Sequence, residues 1–183
     1  MEACELYNAN GPELHRLHDN ARQICEELNE HYAANSAGAQ QNVSKLLGGL
    51  GEDTHVRAPL HGDYGTNTFV GSRVFINFNL TASDVARIEI GDDCQIGLKV
   101  QLLAPTHALD PPLRLQKLVA GKPLVLEDNV WLGGGVIVCP GVRIGRNSVI
   151  GAGSLVTRDI PPNSVAVGNP ARVVKSVVSV TGP

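Results

Sequence analysis

Aromatic side chains are scarce in this chain, 4% of its residues, with Trp131 the only tryptophan. That shortage argues against a core filled by large rings, and the 20 glycines beside it point to a repetitive, turn-rich architecture. An excess of basic charge is also lacking: the formal net charge is -3, and the lysines and arginines are scattered. Nucleic acid, which needs a positive patch or stripe, is excluded as a partner on that ground. No apolar run approaches the roughly 20 residues of a membrane span. The start Met1-Glu2-Ala3-Cys4 lacks the basic stretch of a signal peptide. A soluble, cytoplasmic protein without a membrane partner is the expectation. Cys4, Cys25, Cys94 and Cys139 form no C-x-x-C pair, so neither a zinc knuckle nor a redox motif is indicated, and free, mostly buried thiols are expected. There is no Walker loop and no G-x-G-x-x-G, which argues against a nucleoside triphosphate or a dinucleotide. At 183 residues and 43% hydrophobic composition, one main domain can fold without disulfide or metal staples.

What is present is a repeat. Stepping by six from Leu126 gives Leu126, Leu132, Val138, Ile144, Ile150 and Val156, an unbroken aliphatic column. The next position is mostly small: Glu127, Gly133, Cys139, Gly145, Gly151 and Thr157. Three places on from the aliphatic column stand Asn129, Gly135, Gly141, Asn147, Gly153 and Asp159, residue types that tolerate a left-handed backbone, so a turn is expected there in every repeat. The following column, Val130, Val136, Val142, Ser148, Ser154 and Ile160, is small or β-branched, as an inward strand position requires. The same phase recurs at Ile90-Gly91, Ile96-Gly97, Val70-Gly71 and Ile76. A unit of one short strand and one turn cannot bury a face alone; stacked as coils of a parallel β-helix it encloses a continuous aliphatic core.

Two segments break the period. Ala104 to Gly121, with Pro105, Pro111 and Pro112, lies between in-phase blocks and reads as a long loop thrown out of the coil, the kind of loop that often carries function. At the N-terminus, Leu14, Leu17, Ala21, Ile24, Leu28 and Tyr32 follow helical spacing after a Pro12 start. Lys45-Leu46-Leu47 suit a second short helix before Gly48-Gly49. The division expected is a helical segment over 1–53, a β-helix over 54–175 carrying the loop 104–121, and a tail over 176–183.

Of the six histidines, His15, His18 and His31 lie in or beside the N-terminal helix and read as a solvated face; His55 and His61 precede the repeats and suit strand or turn roles. His107 differs, because it opens the extruded loop in Ala104-Pro105-Thr106-His107-Ala108-Leu109-Asp110. Cys139 sits in the repeat column, which reads as a packed, inert thiol rather than a nucleophile. The Gly133-Gly134-Gly135 run offers backbone N–H groups with no side chain in the way, suited to an oxyanion.

The phrases Asn77-Phe78-Asn79, Asp84-Val85-Ala86, Pro105-Thr106-His107, Asp128-Asn129-Val130-Trp131-Leu132-Gly133-Gly134, Pro140-Gly141-Val142 and Gly168-Asn169-Pro170-Ala171-Arg172 resemble the maltose and galactoside O-acetyltransferase family in order and spacing. Glu5-Leu6-Tyr7-Asn8-Ala9 with Pro12-Glu13-Leu14 resembles that family's helical preface, so the resemblance spans about residues 3 to 175. It implies a mainly β fold, a left-handed parallel β-helix of three-sided coils with an N-terminal helical segment and an extruded loop. It also implies a cytoplasmic homotrimer with active sites between subunits and direct transfer of acetyl from acetyl-CoA to a hydroxyl of a maltose-, glucose- or galactoside-like sugar, without a metal. His107 is then the general base, a role an imidazole titrating ordinarily near pH 6.5 can fill at neutral pH. Asp63, Asn77, Asp84 and Trp131 are the implied substrate-binding residues. Gly134, Ala152, Thr157, Arg158, Arg172 and Lys175 are the implied acetyl-CoA contacts, the cations meeting its phosphates. Ala9 stands where relatives have an acceptor-pocket Asp, and Val119 where they have a Glu or Met after the loop, which leaves the acceptor's identity open.

Three rival readings fit the sequence less well. A zinc hydratase of similar fold needs three converging histidines, and only His107 lies within or after the repeats. A non-catalytic scaffold would have no need of His107, Asn77, Trp131 and Arg172 together. Acetylation of serine or of a xenobiotic alcohol is disfavoured by the maltose-type preface.

Overall fold

The structure, a computed structural model, describes residues 5–31 and 36–177. Cys4, Tyr32 and the tail from residue 178 lie outside the described residues. The chain opens with helix α1 (Pro12–His31) and helix α2 (Ser36–Leu46), the second longer than the Lys45-Leu46-Leu47 turn expected. Leu14, Leu17, Ala21, Ile24 and Leu28 turn one stripe of α1 onto the core, while His15 and His18 stay exposed. Asn29 fixes the helix to the coil: its amide donates to Leu60 O at 3.0 Å and its carbonyl accepts from Leu60 N at 2.9 Å.

The rest is a three-sided parallel stack. The first face runs through Gly49–Leu50, Thr68–Val70, Ile88–Ile90, Leu124–Leu126 and Arg143–Ile144. The second runs through His55–Val56, Phe75–Ile76, Gln95–Ile96, Trp131–Leu132, Val149–Ile150 and Ser164–Gly168, and the third through Leu60–Gly62, Leu80–Ser83, Gln101–Leu103, Ile137–Val138 and Leu155–Val156. Gly49–Leu50 pairs with Phe69–Val70, so the stack begins ahead of residue 54. At the far end Ala171–Ser176 folds back antiparallel on Ser164–Gly168 and closes the second face.

Each repeat column has a structural counterpart. Leu126, Leu132, Val138, Ile144, Ile150 and Val156 are all at most 1% exposed, and the column from Val130 to Ile160 is buried with them. Each aliphatic side chain so buried contributes about 1.5–3 kcal/mol. Buried hydroxyls in that second column are satisfied locally, Ser148 Oγ donating to Pro161 O at 2.9 Å and Ser154 Oγ to Gly151 O at 2.6 Å. Asn129, Gly135, Gly141, Asn147 and Gly153 have φ of 56°, 69°, 81°, 60° and 69°, the left-handed corner expected of them. Asp159 is the exception; its carboxylate instead accepts from Arg143 N at 2.8 Å, just before Pro161-Pro162. Asn129, Asn147 and Asn163 link their side-chain amides in a ladder along this edge, at 3.0 and 2.8 Å. The small column exists because coils touch there: a Cβ on Gly133 would lie 2.6 Å from Ala152 N.

The loop leaves the stack where expected. Ala104 N donates to Ser83 O at 3.0 Å, Lys122 N donates to Ala104 O at 2.9 Å, and between them Pro105–Thr106 pairs antiparallel with Ala120–Gly121. Its tip holds a short helix, Pro111–Arg114, capped by Asp110, whose side chain accepts from Leu113 N at 2.9 Å. Among the described residues no helix is long and apolar enough to cross a membrane.

Candidate active site

Register divides the expected site residues between two corners of the prism. At the corner between the third and first faces, Asp63 follows strand Leu60–Gly62, Ser83 and Asp84 end the next coil, and the loop with His107 springs from the coil after that. Ser83 Oγ donates to Asp63 Oδ2, which leaves the half-buried Asp63 at the surface of this corner. His107 is exposed, and its Nδ1 lies 3.2 Å from Leu118 O. A carbonyl can only accept, so Nδ1 carries the proton and, in the neutral ring, Nε2 keeps a free lone pair. That is the form a general base requires.

Asp84 is placed otherwise than the sequence suggested. It is 0% exposed, and its carboxylate accepts from Tyr64 N (2.8 Å), Gly65 N (3.1 Å) and Asn67 N (3.1 Å). Both oxygens are committed to backbone donors, so in this chain Asp84 organises the turn beside Asp63 and offers no surface to a ligand.

The corner between the second and third faces holds the other group. Ile76, Ile96, Leu132 and Ile150 are in register, so the residues after them stack as columns: Asn77, Gly97, Gly133 and Gly151, then Phe78, Leu98, Gly134 and Ala152. Of the three glycines after Leu132, Gly133 donates its N–H to Ile150 O and Gly135 to Leu98 O, each at 2.8 Å. Gly134 N–H has no acceptor among the described residues, so the free donor narrows from the whole run to this one residue. Gly134 O is used by the next coil, accepting from Gly153 N at 2.9 Å. Asn77 is half-buried; its Oδ1 accepts from Phe78 N at 2.9 Å, which leaves its amide N–H groups to face outward partners.

At the far end of the stack the exposed Thr157 and Arg158 leave the last strand of the third face towards Ile160, at the corner that also carries Asp63 and His107, whereas the exposed Arg172 and Lys175 sit on the strand that closes the second face. None of these three cations has a carboxylate partner among the described residues; Arg172 donates only to Ala171 O at 2.8 Å. Arg172, paired with Val167 at the end of the row of small residues, can meet an anionic ligand laid along that corner. Trp131 stands outward on the second face between Gln95 and Val149, 55% exposed. Within one chain the third face separates it, and Gly134, from the corner that carries His107.

The described thiols, Cys25, Cys94 and Cys139, offer no rival nucleophile. Burial raises Cys25 and Cys139 and takes Cys94 up to about 11. Two residues at the His107 corner receive no role from the sequence, Tyr7, which stands within the preface phrase, and Tyr64, because their partners come from distant segments. Burial, reinforced by the neighbouring Tyr64 and Asp63, pushes the Tyr7 phenol up to about 12.

Family models agree with this architecture in two blocks, the bacterial transferase hexapeptide (six repeats) over residues 123–158 and the maltose acetyltransferase hexapeptide capping motif over residues 1–51. A galactoside O-acetyltransferase of Lactococcus lactis is 38% identical over 174 residues, 94% of this chain and 84% of its own. The crystal structure of a maltose O-acetyltransferase from Clostridium difficile superimposes with a TM-score of 0.93 at 39% identity, covering 96% of this chain and 94% of that one. A hexapeptide-repeat acetyltransferase of Vibrio cholerae, solved with acetyl coenzyme A, gives a TM-score of 0.90 at 34% identity over 94% of this chain and 93% of its own. Repeat, preface, extruded loop and full-length similarity together place the chain in the maltose and galactoside O-acetyltransferase family of hexapeptide-repeat proteins.

Proposed function

We propose that this protein is a cytoplasmic enzyme that transfers the acetyl group of acetyl-CoA to a hydroxyl of a sugar, in a ternary complex, with His107 as the general base. The observation that carries the reading is the His107 Nδ1 contact with Leu118 O, which leaves Nε2 as the proton acceptor. The acceptor hydroxyl attacks the thioester carbon while Nε2 takes its proton; the carbon–sulfur bond then breaks, and the imidazolium returns the proton to the departing thiolate. Gly134 N–H is the available backbone donor for the acyl group. Arg158, Arg172 and Lys175 receive the phosphates of acetyl-CoA, and Asp63 and Asn77 meet acceptor hydroxyls. Thiol release from acetyl-CoA over a panel of maltose, glucose and galactosides tests the reaction; release that no sugar stimulates would refute the acceptor class.

The working unit in this reading is a homotrimer with each active site shared between neighbours. Two facts support it: the base and the donor amide occupy different corners of one prism, and the loop presents Leu109 and Leu115 at 92% and 74% exposed. Cyclic closure of one repeated interface brings the loop corner of one subunit to the small-residue corner of the next and covers those leucines. Sedimentation equilibrium should give three times the chain mass; an active monomer at assay concentration would contradict the shared site.

A further inference from the structure

The return strand of the extruded loop, residues 118–121, is held on both edges. On one edge Ala120–Gly121 pairs with Thr106 and Pro105. On the other, Tyr7 from the segment ahead of α1 forms a reciprocal backbone pair with Val119: Tyr7 N donates to Val119 O and Val119 N to Tyr7 O, both at 2.9 Å. Successive carbonyls of an extended strand point to opposite edges. With Val119 O committed to Tyr7, Leu118 O faces the other way, where it receives His107 Nδ1 at 3.2 Å. The Tyr7 ring is itself anchored. Its hydroxyl is buried beside Tyr64, and Tyr64 N–H is bound by the buried Asp84 at 2.8 Å.

We infer that Tyr7 is a positioning residue for His107: its backbone pair with Val119 sets the carbonyl that fixes the imidazole's tautomer and direction, making the N-terminal segment a working part of the active site. This rests on His107 being the base. A line of contacts runs from the coil through Asp84 and Tyr64 to Tyr7, then through Val119 and Leu118 to the imidazole. The exposed loop has no other described tie at this edge, so its return strand is steadied on that side by a residue more than a hundred positions earlier in the chain.

The test compares Tyr7→Pro, which removes the N–H, with Tyr7→Phe, which keeps the backbone pair and the ring and discards only the buried hydroxyl beside Tyr64. Misplacing a reacting group by about 1 Å costs on the order of 10²-fold. Tyr7→Pro should therefore lose about 10- to 100-fold in kcat with the KM for acetyl-CoA unchanged, while Tyr7→Phe retains wild-type turnover. Nitrogen NMR of histidine-labelled protein gives a second readout: the His107 signal, identified by its loss in His107→Gln, should report Nδ1–H in wild type and Tyr7→Phe and a mixture of tautomers in Tyr7→Pro. Should Tyr7→Pro not fold, Tyr7→Ala, which loses the ring anchor, should show a smaller kcat loss with the same split. Wild-type kcat with an unchanged tautomer in the folded variant would overturn the inference, as would a loss confined to KM or explained by dissociation of the assembly. If His107→Gln itself keeps full activity, the reading of His107 as base fails first, a result distinct from the failure of Tyr7.

Discussion

Replacing His107 with alanine is expected to leave the coils folded and assembled while acetyl transfer falls by about 10²- to 10⁴-fold, the usual contribution of a general base. The side chain is exposed and makes one polar contact, to Leu118 O, so its removal opens no cavity and strands no buried donor. The loss should appear in kcat, with the KM for acetyl-CoA little changed, because the imidazole acts on the attacking hydroxyl as the bond forms. His107→Gln sharpens the test: its amide can still donate toward Leu118 O but cannot take a proton. Turnover near wild type in either variant, at neutral pH with saturating acceptor, would remove His107 from the chemistry.

The second large effect concerns stability. Asp84→Ala leaves the N–H groups of Tyr64, Gly65 and Asn67 without their acceptor in the interior. A buried donor left unsatisfied costs about 1–3 kcal/mol, so with three donors stranded a total loss of at least about 3 kcal/mol is expected. Asp84→Asn should cost less, since its carbonyl can still accept from Tyr64 and Gly65 while its NH2 faces Asn67 N–H, donor against donor. Urea denaturation of the two variants measures both. An unchanged unfolding midpoint combined with a raised KM for the acceptor would return Asp84 to the acceptor pocket.

Much of this molecule is written locally. Each column of the six-residue repeat depends on residues that are neighbours in sequence, so buried strands, left-handed corners and the place where the loop leaves could all be read from spacing. The corner column was even occupied beyond the expected types: Arg73 and Lys99 take φ of 57° there, because the coil imposes the turn wherever the next strand must start. The site was legible only in part, because its details depend on register between coils. Three adjacent glycines look alike in sequence, yet stacking consumes the N–H groups of Gly133 and Gly135 and spares that of Gly134. Asp63 and Asp84 are the same residue type close together, and only the turn over Tyr64, Gly65 and Asn67 decides that one faces outward and the other is enclosed. The Tyr7–Val119 pair joins segments with no shared pattern at all. The division of His107 and Gly134 between two corners is likewise invisible until the third face is seen to lie between them.

Direct acetyl transfer at a His107-based site is tested most directly by counting products. The enzyme is incubated with acetyl-CoA and its best sugar from the panel, and CoA thiol, acetylated sugar and intact protein mass are measured in the same sample. The expected result is one acetyl ester on the sugar for each thiol released, with the protein mass unchanged throughout. Thiol release without acetylated sugar, or an acetyl group that accumulates on the protein and then passes to the sugar, would contradict it.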